Sequence, residues 1–127
     1  MSRSVAREIA FKLVFEYVFN KEEDSELLQE YLQENLAEQG YIQEVYHGVI
    51  SNYDELCSII KEKSVGFAFD RIFKVDLAIL LVALYEIKYM SSIPNKVSIN
   101  EALNMAKAYS TDKSNKFING ILASVVE

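Results

Sequence analysis

One cysteine, one histidine, one proline, four glycines and no tryptophan in 127 residues rule out several architectures and chemistries. A single thiol, Cys57, closes no internal disulfide and points to a reducing compartment. One imidazole, His47, beside one thiol cannot build a Cys/His zinc site, so no metal and no cofactor are expected. The shortage of glycine and proline argues against a many-stranded β fold, which needs a turn former at regular intervals; the expected fold class is all-α. Catalytic signatures are missing as well: no glycine-rich phosphate loop, no H-E-x-x-H and no G-x-S-x-G elbow. Adjacent acids such as Glu22/Glu23 and Asp54/Glu55 point about 100° apart on a helix and share no carboxylate site. No enzymatic activity is expected. His47 and Cys57 have no Ser, Asp or second Cys placed to make a nucleophilic pair. No secretory signal is evident at the N-terminus. The apolar run Leu77–Leu84, bounded by Asp76 and Glu86, falls short of the roughly 18 apolar residues of a membrane span. A cytoplasmic protein without a membrane association is expected.

What the chain does have is length for one core, an apolar half, and unevenly placed charge. At 127 residues it makes one domain, 1–127, with 50% hydrophobic residues, 8 Tyr and 7 Phe. The net charge is −6. Residues 21–62 carry eleven acids against Lys21 and Lys61, a balance of −9, whereas residues 88–120 carry five lysines against Glu101 and Asp112, a balance of +3. Screening confines each charge to roughly 10 Å at moderate salt, so an acidic chain with one basic pole can still bind a polyanion at that pole.

Apolar spacing predicts the helices. Ala6, Ile9, Ala10, Leu13, Val14 and Tyr17 form the core face of a first helix over Ser4–Asn20, and Phe11, Phe15 and Phe19 add a second stripe that needs a cover, within the protein or from a partner. Ser25 is read as the cap of a second helix that Gly40 stops. From Tyr41 to Ile60 one apolar face continues for some five turns, predicting a long central helix; Gly48 within it suggests close approach of another backbone. Lys74–Met90 is apolar around most of its circumference, as in a helix at the domain centre. Asp76 at its start suits the helix dipole and also makes a docking point on an exposed end. Ser98 and Glu101 read as an S-x-x-E capping box opening a helix at Ile99, and a last helix is expected from about Ser114 to Val126.

The turn between those last two helices is the candidate site. Lys113, Ser114 and Lys116 place charge and a hydroxyl at a helix N-terminus, where free N–H groups favour phosphate. Tyr109 and Phe117 either offer stacking faces to unpaired bases or close the core between the two helices; spacing alone leaves both readings open.

The ordered series V-D-x-A-I-L-x-x-A-L-Y-E-I (Val75–Ile87), I-P (Ile93–Pro94), K-V-S-I-N-E-A-L-N-M-A-K (Lys96–Lys107) and K-F-I-N-G-I-L (Lys116–Leu122) resembles the NusB transcription antitermination factor family. A-R-E-I-A (Ala6–Ala10) and G-V-I-S-N (Gly48–Asn52) extend the match over nearly the whole chain. The resemblance implies an all-α bundle of about six to seven helices in two small subdomains. It also implies a non-catalytic adaptor that binds boxA RNA of ribosomal RNA leader transcripts with ribosomal protein S10, in the antitermination complex of RNA polymerase. It assigns RNA contact to Arg3 and Arg7 and to Tyr109, Ser114, Lys116 and Phe117, to which the reading above adds Lys113. Asp76, and on the same helix Glu86, would face S10. Asn100, Asn119 and Gly120 match motif positions read as architectural.

The chain departs from that pattern at several places. Ser4 and Val5 stand where several relatives have further arginines, Leu77 and Leu81 where basic residues are usual, and Lys113 where some members carry an acid. Fewer N-terminal arginines predict fewer phosphate contacts and a shallower salt dependence. Two other readings stay open: a purely protein-binding helical module, and the same fold used as the RNA-binding domain of ribosomal RNA methyltransferases. The apolar excess on the first helix also leaves room for a homodimer.

Overall fold

A computed structural model describes residues 2–127, and among them there are seven α-helices and no strand. These are α1 (Arg3–Asn20), α2 (Ser25–Glu34), α3 (Gln39–Ser51), α4 (Tyr53–Lys63), α5 (Lys74–Tyr89), α6 (Asn95–Tyr109) and α7 (Asp112–Val126), with single 3₁₀ turns at Leu36–Glu38 and Phe69–Arg71. The axis of the molecule is α5, in which every residue from Asp76 to Glu86 is buried. Helices α1, α3, α4, α6 and α7 all pack against it, so the apolar circumference read from the sequence is covered.

Several boundaries differ from expectation, each for a local reason. The long central helix is broken at Asn52, whose backbone N–H and side-chain amide both donate to the Gly48 carbonyl, at 3.1 and 2.8 Å. Helix α2 is capped by Asp24, which accepts from the Leu27 N–H at 3.0 Å, and not by Ser25. It ends at Glu34, where the Asn35 side chain donates to Tyr31 O at 2.7 Å; Gly40 lies in the first turn of α3 and stops nothing. Helix α6 starts at Asn95 directly behind Pro94, a full turn before the expected capping box, and Ser98 and Glu101 instead make polar contacts described below. Helix α7 starts at Asp112, capped by Thr111.

Gly48 does mark a close approach, but to a side chain. A Cβ there would lie 2.2 Å from Tyr85 Cε1, so the absence of a side chain is what lets α3 lie flat on the Tyr85 ring.

The polar core is built around Glu86. Its carboxylate accepts from Arg7 Nε at 2.7 Å, from Ser98 Oγ at 2.6 Å and from the Tyr41 hydroxyl, and Arg7 Nη1 reaches Glu101 at 2.8 Å. This cluster ties α1, α3, α5 and α6 together, and no buried side-chain nitrogen or oxygen among the described residues lacks a partner. Burial pushes the Tyr41 hydroxyl far up, reinforced by the Glu86 charge beside it. For Arg7 burial pulls downward, but the hydrogen bond it donates to Glu86 and the neighbouring negative groups outweigh it, so the guanidinium stays charged.

Candidate nucleic-acid interface

The basic pole forms where α7 begins. Thr111 Oγ1 accepts from the Ser114 N–H at 3.1 Å, setting the first turn. Lys113 and Lys116 then project from α7 into solvent, while Phe117 on the same helix is half-buried, its ring 5.0 Å from that of Phe67. Phe67, Phe73, Phe117, Arg71 and Lys113 line a cleft of about 160 Å³ with Asp76 and Ser114 at its floor. Phe73 is 61% exposed, so a ring face and two cations are presented together. That combination accepts a flat, apolar-faced group carrying negative charge beside it.

Of the expected RNA-contacting residues, Lys113 and Phe117 meet at this cleft and Lys116 lies on the same helix. Tyr109 does not join them. Its ring, 40% exposed, packs 5.2 Å from Phe11, its hydroxyl donates to Glu8, and Lys12 Nζ lies 5.9 Å from the ring centroid. It therefore belongs to a second cleft of about 360 Å³, between α1 and α2, lined also by Phe15, Leu27 and Tyr31. The Phe stripe on α1 resolves accordingly: Phe11 is buried, Phe15 lines this cleft, and Phe19 is exposed.

Four expectations of accessibility need correction. Arg7, 3% exposed, is consumed by the Glu86–Glu101 cluster and presents no guanidinium to a ligand. Glu86, at 0% exposure, faces no partner because it is the acceptor at the centre of that cluster. Asp76 does not stand on an exposed helix end: it is 3% exposed and accepts from Ser110 Oγ and Ser114 Oγ, each at 2.6 Å. The Ser114 hydroxyl is thereby spent within the protein and is buried. Arg3 remains at the surface, but Glu38 holds it at 2.5 Å, and its guanidinium carbon lies 4.5 Å from the Tyr41 ring centroid. The hydrogen bond to Glu38 raises the Arg3 pKa, and Arg3 in turn lowers that of Glu38.

Arg71, Phe67 and Phe73 escaped the sequence reading. They lie in the passage Ser64–Phe73, which has no helical period, and the signal available was three phenylalanines and an arginine in a segment too irregular to bury them all.

Fold and site together define an all-helical protein with one basic, aromatic-lined pole and no grouping of metal-ligating side chains among the described residues. No helix among them is long and apolar enough to cross a membrane. The NusB family model matches residues 4–127, and the chain belongs to the NusB family. It is 43% identical over 88 residues to a transcription antitermination protein NusB of Listeria monocytogenes, covering 69% of each chain. Its fold is similar to that of T. maritima NusB, with a TM-score of 0.90 at 30% identity over 98% of this chain and 90% of that one. It is also similar, at 23% identity and a TM-score of 0.84 over 98% and 97% of the two chains, to a crystal structure of the antitermination factors NusB and NusE in complex with dsRNA.

Proposed function

We propose that this chain is a transcription antitermination factor. In this reading it binds single-stranded boxA RNA of ribosomal RNA leader transcripts together with ribosomal protein S10, as a non-catalytic adaptor of the RNA polymerase antitermination complex in the cytoplasm. The observation that carries the reading is the juxtaposition of Lys113 and Arg71 with the exposed rings of Phe73 and Phe67 at the start of α7, with Lys116 exposed on the same helix. Lysine and arginine there neutralise phosphates, and the rings stack on bases, which must be unpaired to reach them. Family membership supports the antitermination role, and a structural neighbour, NusB in complex with NusE and dsRNA, supports RNA and NusE as the kinds of partner without bearing on the single strand.

The N-terminal arm adds little. Arg7 is internal and Arg3 is paired, so the isolated protein holds RNA through a small number of contacts and S10 supplies the rest of the surface. The test is a titration of fluorescein-labelled single-stranded boxA RNA with this protein, with and without S10. The expected result is weak, salt-sensitive binding alone and tighter binding with S10. Equal affinity for boxA and for a scrambled RNA, with S10 present, would refute the reading.

A further inference from the structure

We infer that Asp76 is the positioning residue of the α6–α7 turn, holding Lys113 and Lys116 in place from beneath; the inference rests on the RNA-binding reading of that turn. The link between α6 and α7 is only Ser110 and Thr111. Both of its ends are fastened to one carboxylate: Asp76 Oδ1 accepts from Ser110 Oγ and Oδ2 from Ser114 Oγ, each at 2.6 Å. Hydrogen bonds to an ionised acceptor are roughly twice as strong as neutral ones, and burial keeps water from competing for them. Thr111 Oγ1 closes the ring by donating to Ser114 Oγ at 3.0 Å and accepting from the Ser114 N–H.

The carboxylate itself is well placed to serve as an anchor. It sits in the first turn of α5, where the helix dipole favours negative charge, and α5 is the most thoroughly buried element of the fold. Lys113 lies between the two fastening points, and Lys116 and Phe117 follow within the next turn of α7. Their direction is set by where α7 starts, and that start is fixed on Asp76. A carboxylate with both oxygens engaged inside the protein acts on RNA only through the turn it holds.

Three variants test this: Asp76→Ala, Asp76→Asn and Ser110→Ala/Ser114→Ala. Asparagine accepts from one serine and donates to the other, so it keeps the clamp while removing the charge. Amide hydrogen exchange across residues 110–116 and binding of fluorescein-labelled single-stranded boxA RNA are measured for each. Asp76→Ala and the double serine variant are expected to bind about tenfold more weakly, because ordering the turn is deferred to the binding step. Their turn amides exchange faster, while Asp76→Asn, which keeps the clamp through weaker neutral hydrogen bonds, falls between the parent and Asp76→Ala in both respects. If Asp76→Ala does not fold, the serine variant carries the comparison. Unchanged RNA affinity with a still-protected turn would overturn the inference. So would an Asp76→Asn variant as weak as Asp76→Ala, since the charge and not the clamp would then be responsible. A parent protein that fails to bind RNA at all would defeat the functional reading, while the exchange data would still decide whether Asp76 holds the turn.

Discussion

Arg7 and Glu86, 79 residues apart in sequence, meet as a buried ion pair with Nε 2.7 Å from Oε2. The pair joins the first helix to the central one, and its arginine is one that the family pattern would otherwise send to RNA. Removing Arg7 leaves the Glu86 charge unpaired in the core, whereas removing Glu86 leaves Arg7 with Glu101. Arg7→Ala is expected to cost about 3–5 kcal/mol in urea unfolding, and Glu86→Ala less. If Arg7 instead contacted RNA, Arg7→Ala would unfold like the parent and lose a phosphate contact from its salt dependence.

Gly48→Ala puts a methyl group into the Tyr85 ring, with ring atoms at 2.2 and 2.3 Å. Overpacking of this kind costs about 1–3 kcal/mol, partly offset by the better helix propensity of alanine, roughly 1 kcal/mol. A net loss of about 1 kcal/mol is expected in thermal or denaturant unfolding. The same substitution in a Tyr85→Ala background should become stabilising, and the sign change is the diagnostic.

Glu38→Gln separates stability from binding. The hydrogen bond from Arg3 lowers the Glu38 carboxyl below its ordinary 4.5. A depressed carboxyl contributes stability that is complete above the unfolded value and lost as pH falls through the lower folded one. The parent therefore loses this contribution below pH 4.5 and the variant has none to lose, so its acid limb is shallower. At neutral pH the variant releases Arg3. RNA binding should then show a salt slope steeper by about 0.7, one single-strand phosphate contact.

Phe73→Ala removes an exposed ring from the basic cleft. RNA binding is expected to weaken by about 1–3 kcal/mol, the usual worth of one stacked base, with an unchanged salt slope and a stability close to the parent's. A loss of stability with RNA affinity retained would assign Phe73 to packing.

The sequence made the helices legible wherever apolar spacing was unbroken, as in α1 and α5, since burial of a periodic face is what forms them. It misled at Asn52 and at Ser98. An asparagine that bonds its own helix and a serine that bonds a distant glutamate look like any other polar residue until the partner is known. The site was half legible for the same reason. Lys113 and Lys116 are recognised by charge and position, whereas the engagement of Arg7, Ser114, Asp76 and Glu86 depends on contacts 12 to 94 residues away in the chain. Arg71 and Phe73 were hidden because irregular backbone carries no period by which an outward-facing side chain is told from an inward one.

The central claim, that the start of α7 grips RNA, is tested most directly by the Lys113→Ala/Lys116→Ala variant in a salt series against single-stranded boxA RNA with S10 present. The account predicts a folded protein with weaker binding and a salt slope reduced by about 1.4, two phosphate contacts at about 0.7 each. A folded double variant with the parent's affinity and slope would contradict it.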